Sequence, residues 1–257
     1  MNAFQFHYDT YQQVRTNLKL ALFVLLILDA VILLFIGPDA WRAPFTALIT
    51  PPLDLSRLES LGKIIGGLLF LPALLAFLMV ETFNLHDTYD RYVIRWRQRF
   101  DIEFILTRLY LPFAEHVDRR FLAVIEQDRT DCMNRLFYPF VRDGAPLVHP
   151  NLVRRFWEAM TRYWLTQLLE ILLAVTLGLL LAVLLLTSSP DETARLHRGV
   201  IFVLVALALN RIAVRGLRAS VRARTDEEIT DIVTHHREDL RTRLRQLADS
   251  HQLGHQL

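Results

Sequence analysis

Long unbroken apolar runs alternate with arginine-rich polar stretches along the 257 residues. Four windows hold about 20 apolar residues or slightly fewer, the length a helix needs to cross a bilayer. The first runs from about Leu18 to Gly37, the second from about Leu61 to Phe83, the third from about Trp164 to Thr187 and the fourth, shortest, from about Gly199 to Val214. None shows the one-sided pattern of a surface helix, so each predicts a span rather than a buried soluble helix. The first is too long for a cleaved leader, has Asp29 in its middle and is followed by no small-x-small site.

The segments between the spans read as helix. Residues 1–17 carry Phe4, Phe6, Tyr8 and Tyr11 among polar residues, a pattern that suits the headgroup layer. The link between the first two spans holds Pro38, Pro44, Pro51 and Pro52. In residues 84–162, the spacing from His86 to Leu111 predicts one helix continuing span two, ended by Pro112. A second helix fits 113–128, with Phe121, Leu122 and Ile125 as its apolar stripe, and a third begins near Pro150 and enters span three. Thr225 reads as the N-cap of a tail helix, with Asp226, Glu227 and Glu228 in its first turn. Ile229, Ile232, His236, Leu240, Leu244 and Leu247 then form a seam suited to the middle segment or to another copy of the chain.

The expected fold is therefore an all-α integral membrane protein. Spans one and two occupy 18–83 and spans three and four 163–216, with a helical cytoplasmic segment at 84–162 and an amphipathic helix in 217–257. Charge sets the orientation. Thirteen arginines lie between Arg91 and Arg162 and eight between Arg215 and Arg245, whereas the two short links hold only Arg42, Arg57, Arg195 and Arg198. The positive-inside rule places both termini and the middle segment in the cytoplasm of a cell with this protein in its inner (plasma) membrane. Cys132 is the only cysteine, which excludes an intrachain disulfide.

Candidate chemistry lies first in the spans. Asp29, Glu170, Asn210 and Arg211 are polar or charged, and a charge at the bilayer centre costs at least ~2.5 kcal/mol, so these groups should meet protein or water. At 1.5 Å per residue Glu170 stands about 12 Å and Arg211 roughly 7 Å above the cytoplasmic ends of their spans, within reach of each other; Asp29, about 16 Å up, has no cation at its depth. In one reading Glu170 and Arg211 form a structural ion pair and Asp29 is neutral and hydrogen-bonded; in the other Asp29, with or without Glu170, lines a water-filled path for cations or protons.

A second candidate is Arg91, Arg95 and Arg99 at i, i+4 and i+8 beside Tyr92, Trp96 and Phe100, a cationic stripe next to an aromatic one. It suits anionic lipid headgroups or a small anionic ligand such as a nucleotide, with Arg97 directed elsewhere. Glu81, His86, Asp87 and Asp90 could hold two metal ligands but lack a third at a telling spacing, so no metal or other cofactor is assigned. No catalytic constellation is found. Arg142–His149 and Arg245–His251 resemble the spacing of HEPN ribonucleases, but the first crosses a Gly-Pro turn and the second lacks the polar residue after the arginine. The order of spans is similar to that of flagellar-stator-type proton-channel subunits, without their Gly- and Pro-rich approach to the third span or the proline in the fourth.

The leading expectation is a non-enzymatic, homo-oligomeric channel or pore gated through its cytoplasmic helices. A specific form is a bacterial membrane effector, for example in antiphage defence, answering an anionic signal. The alternatives are a membrane scaffold or assembly factor that binds a protein partner on the cytoplasmic side, and a lipid-acting enzyme using His86, Asp87 and Asp90.

Overall fold

The computed structural model describes residues 10–41, 43, 66, 69–113, 119–142 and 146–251. Phe4, Phe6 and Tyr8, the prolines at 44, 51 and 52, the start of span two and the Asp143–Ala145 turn lie outside them. All regular structure among the described residues is helical. The helices are α1 (Tyr11–Ile36), α2 (Leu69–Thr82), α3 (Leu85–Ile94), α4 (residues 96–110), α5 (Arg119–Gln127), α6 (Arg129–Leu136), α7 (Pro150–Leu186), α8 (Pro190–His235) and α9 (Arg237–Ser250). They form two compact units. One comprises Arg15–His86 and Trp164–Arg215, the other Met1–Val14, Asp87–Tyr163 and Gly216–Leu257.

The first unit holds the apolar helices. Three helices, α1, α7 and α8, are long and apolar enough to cross a membrane; α2 qualifies only together with α3, and that pair is bent by 59°. Leu180, Leu196 and Val203 are buried at its centre, packed by Leu33, Ile36, Leu173 and Leu177. Gly199 lets α8 approach α1: a Cβ there would stand 3.1 Å from Ile36. The rest of the apolar surface faces outward, including Leu28, Phe35, Leu185, Leu186, Ile201 and Phe202. So many large exposed apolar side chains on long helices are unusual for a water-exposed surface.

Two long helices begin where their residues favour it. Proline is preorganised for the first helical position, where its missing N–H costs nothing. α7 starts at Pro150, and the Asn151 N–H donates to His149 Nδ1 at 3.3 Å. α8 starts at Pro190, with Asp191 and Glu192 in the turn where acidic groups complement the helix dipole. The end of α2 is satisfied from α1. Residues Leu78–Thr82 adopt a wider turn with i→i+5 bonding, and the Arg15 guanidinium donates to the carbonyls of Val80 (3.3 Å) and Glu81 (3.0 Å). The Glu81 carboxylate pairs with Arg15 at 2.5 Å and Lys19 at 2.7 Å, so it anchors α2 to α1.

The second unit corrects two expectations. The helix expected from His86 to Leu111 is broken. Asn84 and Arg95 have φ of 45° and 55°, and residues Asp90–Ile94 and Phe100–Leu106 are wide turns. Each wide turn inserts residues relative to a 3.6-residue helix and rotates the residues downstream of it. Thr225 is not an N-cap. It lies inside α8, where its hydroxyl donates to the Val221 carbonyl at 3.0 Å, a bond that satisfies a helical threonine without ending the helix. The break falls instead at His236, and Glu238 and Asp239 occupy the first turn of α9.

The tail seam is used within the chain. Ile229, Ile232, Leu240, Leu244 and Leu247 are buried, α9 packs on α6, and the His236 ring lies 5.8 Å from that of Phe140. The apolar stripe of α5 behaves as expected at Phe121 and Ile125, which join Leu106, Leu109, Leu136 and Phe140 in the core.

Candidate functional site

Each polar residue singled out in the spans has a partner within the first unit. Thr176 on α7 donates to the Asp29 carboxylate on α1, 3.0 Å from each oxygen. The Asn210 amide on α8 donates to the Thr166 carbonyl on α7 at 3.0 Å. Arg211 and Glu170 form an ion pair at 2.5 Å. The pair is lopsided, because the Glu170 side chain is only 6% exposed and that of Arg211 59%. Arg211 shares its helix face with exposed Leu204 (49%) and Ala208.

The second unit contains a cavity of about 740 Å³. Arg91, Arg97, Arg129 and Arg142 line it, against Asp87 and Asp101. Aromatic rings supply much of the rest, among them Tyr11, Phe100, Tyr138 and Trp157. Arg91 pairs with Asp87 at 3.0 Å and Arg129 pairs with Asp101. Asp101 is buried; burial pushes its carboxyl above the usual range against the pull of Arg97 and Arg129. Burial alone would lower Arg97, but Asp101, Tyr138 and Asp87 outweigh it and hold the guanidinium above its ordinary value, so it stays charged. Arg142 is exposed and makes no hydrogen bond or ion pair with the described residues.

The expected cationic stripe is divided by the helix break. Arg91 reaches the cavity, whereas Arg95 and Arg99 are exposed and do not line it. Arg97, expected to point elsewhere, lines it. Trp96 is a core residue rather than an open aromatic face: its ring stacks on Phe100 at 4.7 Å and meets Tyr163 at 4.7 Å, with the Arg218 guanidinium 5.5 Å from its centre. Tyr92 alone of the aromatic stripe is exposed. Arg129 and Arg142 were not legible as partners of Arg91, because some forty to fifty residues separate them and only the fold of α3, α4 and α6 joins them.

The residues weighed as metal ligands are engaged within the chain, Glu81 and Asp87 in the ion pairs given above. Within the first unit, buried His86 lies against the Trp164 ring at 4.7 Å. Within the second, buried Asp90 accepts the Tyr163 hydroxyl at 2.8 Å and the Arg97 N–H at 3.0 Å. Among the described residues, no group of three or more His, Cys, Asp or Glu side chains could hold a metal ion. Cys132 is buried, and its thiol is pushed up to about 11 by that burial and by Asp131 and Asp128.

Comparison with curated proteins and with solved structures gave no match. The model of the YmfE protein family matches residues 46–246, which take in the span-length helices α7 and α8, the cavity-lining segments of α3, α4 and α6, and most of α9. The chain belongs to the YmfE protein family.

Proposed function

We propose that the protein is a four-span inner-membrane protein, with both termini cytoplasmic, that acts without catalysis as a homo-oligomeric channel. The outward-facing apolar surface of α1, α7 and α8 supports insertion, and the bent pair of α2 and α3 supplies the further crossing. The arginine bias supports the orientation.

The observation that carries the channel reading is the exposed half of the Glu170–Arg211 pair. A guanidinium on a lipid-facing helix surface is costly, and a neighbouring protomer or an aqueous path removes that cost. The oligomer therefore forms through the α8 face bearing Leu204, Ala208 and Arg211, not through the tail seam, which is already occupied. The cytoplasmic helices act on this face through α8, which runs without interruption from Pro190 to His235. The test is the native mass of purified protein together with ion flux in liposomes. A defined oligomer that conducts supports the channel; a monomer without flux rejects it.

A second reading, a non-conducting scaffold, is favoured by the closure of Asp29 on Thr176 and of Asn210 on the Thr166 carbonyl within one chain. It calls for no conductance and for a co-purifying protein. A role in bacterial antiphage defence is a narrower form of the channel reading and is tested by phage challenge of cells carrying or lacking the gene.

A further inference from the structure

The cavity of the second unit was not visible in the sequence and is not needed for conduction. We infer that it is a binding site for a nucleotide, with the phosphate held by Arg97 and Arg142 and the base against the aromatic wall that includes Trp157. Its volume of about 740 Å³ falls within the range of small-molecule sites.

Charge selects the ligand class. Four guanidiniums face the cavity against two carboxylates, leaving it formally two positive charges in excess. Those carboxylates are already engaged: Asp87 on Arg91, and Asp101 on Arg129 and beside Arg97. Arg142 keeps its donors unclaimed by the described residues, at a position open to a ligand. Arg97, which already meets Tyr138 and lies beside Asp101, stands as the half-buried charge next to it, and guanidinium forks match phosphate oxygens in pairs.

The wall selects the rest of the molecule. Trp157 and Tyr11 form a tilted ring pair with centroids 5.7 Å apart, and Phe156 meets Trp157 edge-on at 5.2 Å. Aromatic rings beside arginine forks are the combination that takes a base and its phosphate together, because every base offers a π face. An inorganic anion would use only the arginines, and a lipid headgroup only the arginines and the rim.

The experiment is calorimetric titration of the full-length protein in phosphatidylcholine nanodiscs with AMP, ATP, GTP, UMP, cyclic AMP and a cyclic dinucleotide. Parallel arms use adenosine, inorganic phosphate, and nanodiscs containing phosphatidylglycerol. The expected result is saturable binding of at least one nucleotide, at least tenfold tighter than either adenosine or phosphate alone. Arg142→Gln, which breaks no contact among the described residues, is expected to weaken it tenfold or more, and Trp157→Leu by a comparable factor. Binding of no member of the panel at millimolar concentration overturns the inference. Binding unchanged by Arg142→Gln, or displacement of nucleotide by phosphatidylglycerol, overturns it too, the latter by assigning the arginines to lipid.

Discussion

Tyr163 donates its hydroxyl hydrogen to Asp90 Oδ1 at 2.8 Å, with both side chains fully buried. The bond joins residues 73 positions apart, and the other Asp90 oxygen takes the Arg97 N–H that opens α4. A phenol keeps its proton at physiological pH, so Tyr163 remains a donor there. Tyr163→Phe keeps the ring against Trp96 and removes the donor. A hydrogen bond to a charged group contributes about 1.5–3 kcal/mol, so a clear fall in the thermal midpoint of the detergent-solubilised protein is expected. An unchanged midpoint would mean that the Arg97 N–H suffices for Asp90.

Arg95 carries a left-handed backbone at φ 55° between α3 and α4. Its N–H still donates to the Asp90 carbonyl at 2.5 Å, but its Cβ crowds the chain. Glycine adopts this conformation freely, so Arg95→Gly should stabilise the protein by roughly 1 kcal/mol. Melting curves of the two proteins decide it. Because Arg95 does not line the cavity, nucleotide binding should not change.

Glu228 is fully buried, and neither carboxylate oxygen has a hydrogen-bond partner among the described residues. Burial, reinforced by Glu227, holds its carboxyl well above the ordinary value of 4.5. The folded state therefore keeps a proton that the unfolded state has lost, and stability falls as pH rises from 4.5 through the higher folded value. Above that value the loss is complete and constant. Glu228→Gln should flatten this part of the pH profile. Glu228→Met, which also removes the unpaired polar group, should raise stability at neutral pH by about 1–3 kcal/mol. Unfolding midpoints recorded across the pH series test both; a wild-type profile without the fall would show that Glu228 finds a partner.

Thr176 holds Asp29 across α1 and α7. Hydrogen bonds between helices in membranes average about 0.6 kcal/mol and reach about 1.7, so Thr176→Val should cost an amount in that range. If Asp29 is a latch and not part of the conducting path, Asp29→Asn leaves ion flux within about twofold of wild type, since the amide can still pair with Thr176. A collapse of flux on Asp29→Asn with the oligomer intact would place Asp29 on the path.

The long apolar helices α1, α7 and α8 were legible because lipid exposure demands long apolar runs, and the start of α7 because Pro150 marks it; the start of α8 at Pro190, nine residues before the apolar run at Gly199, was not read. The pairing of Glu170 with Arg211 came from depth alone, at about 1.5 Å of rise per residue. The cavity was hidden for a physical reason. A stripe at i, i+4 and i+8 assumes one uninterrupted helix, and the wide turn at Asp90–Ile94, followed by the left-handed Arg95, turns Arg97 where Arg95 and Arg99 were expected. No glycine marked the break. Thr225 misled for the opposite reason: a capping sequence has no effect where the helix is continuous and its hydroxyl has a carbonyl to bond. The tail seam was correctly apolar, but periodicity cannot tell a partner in the same chain from one in another.

The most direct test of the channel is ion flux through purified protein in liposomes, with oligomer mass measured in parallel, for wild type, Arg211→Glu, Glu170→Arg and the double exchange. Each single change puts like charges together at the 2.5 Å contact and should reduce flux at least tenfold. The double exchange restores the pair and should recover much of it. Wild-type protein that forms a defined oligomer yet passes no ions, or flux indifferent to all three variants, would contradict the proposed channel.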